Sequence, residues 1–333
     1  MSRRYVNQLN HQESIDQVFL AGEKQLRTNR NANLYLQVEL SDRGGSITAR
    51  LWNANEEVYR SFDNGDYVHV KGAAQLFQGT MQVIATKLYK IDSAEVDPAE
   101  FAPLAAVAVD RLALRLGEIL RGMDDPALKT LAECFLIDEA LMAKLALAPA
   151  GTKNHHAYHG GLLEHVVNLM EVVLRVAPCY PQINRDLLLF GAFLHDLGKT
   201  GELSYRHGLG YTDEGQLIGH LVIAVELLDA KLIEAEKLSG EPVPPETVLR
   251  LKHMILSHHG EYAFGSPKLP MTVEAVALAH LDNLDAKINT FARLMEGDPN
   301  VDSPWTTYNQ NLERKLFKGT RGVGRGTEEN VEQ

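Results

Sequence analysis

The chain has 333 residues, 45% hydrophobic and 23% charged, the composition of a soluble globular protein whose core needs no disulfide staples, with two domains as the expectation from length. A net charge of −11 argues against a uniformly basic nucleic-acid coat, although carboxylates that hold metal are counted as free negatives in that sum. Cys134 and Cys179 lie far apart and in no ligand spacing, so a reduced, cytoplasmic setting is expected.

The opening MSRRYVNQLN lacks the apolar centre of a signal peptide, and no run approaches the ~18 apolar residues of a membrane span, so no membrane role is expected. From residue 13 to 95 short alternating runs dominate. NLYLQVEL puts Leu34, Leu36, Val38 and Leu40 on one face; SITARLW does so with Ile47, Ala49 and Leu51, and DYVHVKG with Val68 and Val70. Period-two runs separated by turns such as DRGG and FQGT predict about five antiparallel strands, enough for a small barrel. The opposite face carries Tyr35, Gln37, Thr48, Arg50, Trp52, Tyr67, His69 and Lys71. Aromatics interleaved with cations suit a single-stranded nucleic acid, whose every base offers a π-face and every nucleotide a phosphate; the bland reading is that Tyr35 and Trp52 complete the barrel.

Residues 96–106 read as a linker, acidic, Pro-bearing and without periodicity. From 107 to 313 the period becomes helical, and an all-α bundle without strands is expected. Residues 105–150 are apolar enough for packing or for a subunit interface in a homo-oligomer. GLLEHVVNLMEVVLRVA has a wide apolar stripe ended by Pro178, and further helices are expected at about 184–197, 216–238, 245–258 and 272–290. The last segment, 314–333, reads as a flexible tail, first basic (Arg314, Lys315, Lys318, Arg321, Arg325) and then acidic.

Of 13 histidines, His165, His195, His220, His258 and His259 lie on or beside apolar helices, with Asp196 and Asp282. One such histidine is usually a satisfied core residue. Together they need partners, and metal ions satisfy them economically. In GAFLHDLGKT, His195 and Asp196 point about 100° apart and should flank something between them. A carboxylate can touch two cations and an imidazole only one. Gly198 suits a left-handed C-cap there, and Lys199 emerges where its ammonium could meet a phosphate. SHHG, with His258 and His259, repeats the device at another helix end.

EHVVNL, LHDLGK, IGH, SHHGE and HLDNLDAK follow one another in the order His, His-Asp, His, His-His, Asp. This ordered set resembles the HD-domain metal-dependent phosphohydrolases. The β unit before it resembles an OB-fold, and the combination resembles the YhaM-type 3′-5′ exoribonucleases over roughly residues 13–315. The resemblance implies a two-domain fold, a small antiparallel OB barrel followed by an all-α HD bundle. It implies two divalent ions, manganese favoured with iron(II) or magnesium as alternatives. One ion would take His165, His195, Asp196 and Asp282; the other would share Asp196 and take His220, His258 and His259. Asp285, one turn from Asp282, is the runner-up ligand, with a salt bridge to Lys287 as its bland role.

Paired cations lower the pKa of water and offset charge on a phosphodiester, so no serine or cysteine nucleophile is needed. Asp196, Lys199 on the scissile phosphate, and His156 as a leaving-group acid are the catalytic candidates. Tyr35, Arg50, Trp52, Lys71 and Tyr158 are the substrate-binding ones; His155 and His159 share the same neighbourhood. The leading expectation is hydrolysis of single-stranded RNA (or DNA) from the 3′ end to nucleoside 5′-monophosphates. Two alternatives stand beside it: a phosphohydrolase of small nucleotides or cyclic dinucleotides, and a non-catalytic single-strand-binding factor.

Overall fold

Alternation of buried and exposed residues decides the N-terminal region. A computed structural model of the chain describes residues 3–29, 33–77, 80–97, 100–101, 106–151, 160–204, 210–296, 298, 300 and 303–319. Strands β1 (Ser14–Thr28), β2 (Leu34–Asp42), β3 (Gly45–Trp52), β4 (Tyr67–Phe77) and β5 (Thr80–Lys90) close a barrel in the order β1-β2-β3-β5-β4. Neighbours are antiparallel except for β3 and β5, whose parallel pairing at Ala49–Leu51 closes the barrel. Phe19, Leu36, Val38, Leu40, Val68, Val70 and Val83 fill its interior. A short helix, α1 (Glu56–Arg60), joins β3 to β4; the Asn55 side chain starts it by accepting from the Val58 N–H at 3.0 Å. Closure requires a bend in β4. The register shifts between Lys71 and Gly72, where a Cβ would lie 2.3 Å from the Ile84 carbonyl oxygen, so glycine is required there.

Compactness gathers Met1–Asp97 with Ile288–Gln333 into one unit and Pro98–Lys287 into another. Residues 303–319 are held by contacts of their own. Trp305 bridges Phe317 and Asn309 bridges Arg314, while Lys318 donates to Asp298 at 3.1 Å. The Trp305 and Phe317 rings stack in a tilted pair, and such contact fixes a segment that its basic sequence alone left loose. Residues 320–333, with Arg321 and Arg325, lie outside the described residues.

The helices that follow are α2 (Ala106–Arg121), α3 (Pro126–Leu136), α4 (Glu139–Leu147), α5 (Gly161–Val176), α6 (Arg185–Leu194), α7 (Lys199–Glu202), α8 (Asp213–Leu217), α9 (His220–Ser239), α10 (Pro245–Ser257) and α11 (Val273–Glu296), the last belonging to the helical unit as far as Lys287. Asp125, Asp138 and Asn184 supply the side-chain caps that start α3, α4 and α6. Helix α6 is apolar on every face, and Asp186–Leu194 are all buried, so it runs through the core. Phe190 and Phe193 meet Phe135 of α3 edge-on. Helix α5 packs its stripe of Leu162, Leu163, Val166, Val167, Leu169, Met170 and Val173 into the same core.

Two details depart from the expectations. A two-residue hairpin, β6 (Leu203–Ser204) with β7 (Gly210–Tyr211), interrupts the helices. Runs this short leave no periodicity to read. Gly198, moreover, is right-handed, with φ −62°, and is no C-cap. A Cβ there would lie 2.0 Å from the His220 carbonyl oxygen, so this glycine serves close approach of α7 to α9. Among the described residues no helix is long and apolar enough to cross a membrane.

Candidate active site

Helix ends build the site. The last carbonyls of a helix have no intrahelical donor. At the end of α6 the Ala192 carbonyl accepts from His195 Nδ1 at 2.8 Å; at the end of α10 the Ile255 carbonyl accepts from His258 Nδ1 at 2.9 Å. A carbonyl can only accept, so each ring carries its proton on Nδ1 and presents a bare Nε2 lone pair inward. The chain then turns through tight i→i+3 bonds, Leu197 to Leu194 and Lys199 to Asp196, which swing Asp196 into the space the two rings face.

Carboxylates orient two further imidazoles. His165 of α5 engages Asp285 through Nδ1 at 2.8 Å, and His220 at the start of α9 engages Glu202 through Nδ1 at 3.0 Å. All these Nε2 atoms converge. His165 Nε2 lies 3.2 Å from His195 Nε2 and 3.2 Å from Asp282 Oδ1. Likewise His220 Nε2 lies 3.3 Å from His259 Nε2. The potential ligand atoms of His165, His195 and Asp282 all fall within 4.8 Å of one another, as do those of His220, His258 and His259 and those of His195, Asp196 and His258. Asp196 stands between the first two groups. Its Oδ2 is 3.4 Å from His195 Nε2, and its Oδ1 is 3.6 Å from both His220 Nε2 and His258 Nε2.

This donor set fits divalent metal. Asp196 Oδ1 and His259 Nδ1 are buried polar atoms with no hydrogen-bond partner among the described residues. Leaving a buried carboxylate oxygen unsatisfied is costly, and a cation relieves that cost. Imidazole and carboxylate without thiolate suit a metal such as manganese or iron.

Without an ion, the groups of the cluster settle into different protonation states. Burial opposes charge on Asp196, but Lys199 and His195 outweigh it and hold the carboxyl well below its ordinary range. Asp282 is lowered in the same way, with His165 as the main opposing partner to burial. Burial drives His258 down to about 4, keeping it neutral. His165 moves the other way: burial lowers it, yet hydrogen bonds to Asp282 and Asp285 carry it up to about 9. Both carboxylates are thus anionic at neutral pH, and the two acids facing His165 attract positive charge.

The expected metal-site residues, His165, His195, Asp196, His220, His258, His259 and Asp282, are therefore all brought together. Lys199 is placed beside them, with Nζ on Asp196 Oδ2 at 2.6 Å. Burial lowers its pKa and Asp196 raises it further, so the ammonium keeps its proton. Asp285, the runner-up ligand, bonds the Nδ1 of His165, on the side of the ring away from the cluster. Glu202 was not singled out by sequence, because an orienting carboxylate has no fixed spacing from the ring it serves. His156 and Tyr158, with His155 and His159, fall in 152–159, outside the described residues.

On the barrel, Tyr35 and Trp52 pair across β2 and β3, rings 4.9 Å apart, and Trp52 is 44% exposed. Arg50 faces the same way, donating to Gln82 at 2.6 Å. Lys71 lies on β4, which pairs with β1 and β5, and its Nζ binds Asp16 at 2.9 Å.

A family profile described as an HD domain matches residues 162–287, and one described as an OB-fold nucleic acid binding domain matches residues 18–91. The chain is 35% identical over 285 residues to the 3′-5′ exoribonuclease YhaM of Bacillus subtilis (strain 168), covering 85% of this chain and 88% of that protein. It is 34% identical over 287 residues to the protein of the same name from Oceanobacillus iheyensis, covering 85% and 87%. With that of Geobacillus sp. (strain WCH70) the figures are 35% over 267 residues, 80% of each chain.

Proposed function

The chain belongs to the YhaM family of 3′-5′ exoribonucleases, and from that premise we propose that it shortens single-stranded RNA from the 3′ end, releasing nucleoside 5′-monophosphates. The observation that carries the proposal is Asp196, a buried carboxylate between two groups of inward-facing imidazoles with one oxygen left without a hydrogen-bond donor. His165, His195 and Asp282 would hold one divalent ion and His220, His258 and His259 a second, with Asp196 available to both. Manganese is the ion favoured by the family resemblance, with iron(II) compatible with the imidazole-rich set. When bound, the ions supply Lewis acidity for the phosphodiester and a water of lowered pKa.

The protein's own groups do the rest. Carbonyl and carboxylate acceptors on four Nδ1 atoms lock ring orientation and tautomer, so little reorganisation accompanies reaction. Lys199 supplies a fixed positive charge beside Asp196 for the non-bridging oxygens of the scissile phosphate. On the barrel, Tyr35 and Trp52 stack bases and Arg50 meets a phosphate, the β2–β3 face being where OB-folds take oligonucleotides.

The test is incubation of the full chain with manganese and a 5′-labelled single-stranded RNA, Asp196→Ala serving as control. A ladder shortening from the 3′ end, lost in the variant, is expected. Hydrolysis of free nucleotides or cyclic dinucleotides with RNA untouched, or RNA binding without turnover, would each overturn the proposal.

A further inference from the structure

Each half of the centre contains one imidazole fixed by a backbone carbonyl and one fixed by a carboxylate. We infer that Glu202 is the positioning residue that makes the site of the second ion, the one assigned to His220, His258 and His259; the inference rests on the two-ion reading above. One oxygen, Glu202 Oε1, accepts from both the ring Nδ1 of His220 at 3.0 Å and its backbone N–H at 3.1 Å. That N–H belongs to the first residue of α9, a donor with no intrahelical partner, and the residue before it, Gly219, has no side chain to cap it. Tying ring and backbone to one atom leaves the imidazole a single orientation, with Nε2 3.6 Å from Asp196 Oδ1.

Glu202 is itself held. It is 8% exposed, its carbonyl accepts from the Thr212 N–H at 2.9 Å, and the Thr212 hydroxyl donates to the Gly201 carbonyl at 2.9 Å. A Cβ on Gly215 would lie 2.2 Å from the Glu202 carbonyl oxygen, so α8 packs directly on this residue. Thr212 and α8 thereby brace Glu202 behind one ligand. A carboxylate on Nδ1–H also makes Nε2 a better donor than an amide or water would. Asp285 plays the corresponding part for His165 in the other half.

The experiment titrates metal-free full-length protein with manganese chloride, reading stoichiometry by calorimetry and spin coupling by electron paramagnetic resonance. Wild type should take up two ions per chain and show an exchange-coupled signal. Glu202→Gln keeps size and one acceptor; it should weaken the second ion about 10- to 100-fold, leave the first unchanged, and yield the six-line spectrum of isolated manganese at one equivalent of bound ion. Asp285→Asn should weaken the other ion instead. Two ions bound by Glu202→Gln with wild-type affinity and coupling would overturn the inference, as would equal weakening of both ions. Wild type binding one ion only would instead refute the two-ion reading and take the inference with it.

Discussion

The barrel and the helical unit keep their chemistry in opposite places. On the barrel, Trp52 is exposed and Tyr35 and Arg50 are half-buried on the same outer face, above a core of Phe19, Leu36 and Val70 that would serve any OB barrel. In the helical unit the reactive groups are inside, with His165, His195, Asp196 and His258 each at 3% exposure or less. An exposed aromatic or cation costs little and so says little. A buried imidazole or carboxylate is costly unless its partners are built around it. Substitutions should separate the two regions accordingly.

The largest effect is expected at Asp196. Replacing it with alanine removes the group shared by both halves, and RNA hydrolysis should fall to background in a time course with labelled substrate. Gly198→Ala comes next. Its Cβ would meet the His220 carbonyl at 2.0 Å and the Ala224 nitrogen at 2.8 Å, neither of which can yield without moving α9. A loss of about 1–3 kcal/mol in urea unfolding is expected, with metal uptake impaired as well. If Gly198→Ala retains full stability, close approach of α7 to α9 is not what this glycine provides.

Trp52→Ala should be milder and confined to one function. Binding of a long single strand should weaken by about 1–3 kcal/mol in fluorescence anisotropy, while hydrolysis of a small phosphodiester stays unchanged. Equal loss on both substrates would erase the division of labour between barrel and helices. Smallest of all is Lys71→Ala. Being two strands away from Trp52 and paired with Asp16, it should weaken RNA binding less than Trp52→Ala or Arg50→Ala does.

The same contrast explains what could be read in advance. Alternation at Leu36, Val38 and Leu40 gave the strands, since a period of two admits only one buried face. The ordered histidines and His195-Asp196 were legible because polar residues on apolar helices demand an explanation. What escaped was everything set by approach between distant segments. Gly198 looked like a C-cap, because a glycine after a helix usually is one; its actual constraint is a carbonyl twenty-two residues on. Glu202 carries no signature, since a carboxylate that orients a ring needs proximity and no particular spacing.

The most direct test of the central claim is anomalous diffraction from crystals grown with manganese. Two peaks should flank the Asp196 carboxylate, one among His165, His195 and Asp282 and the other among His220, His258 and His259. A single peak, or peaks away from Asp196, would contradict the account.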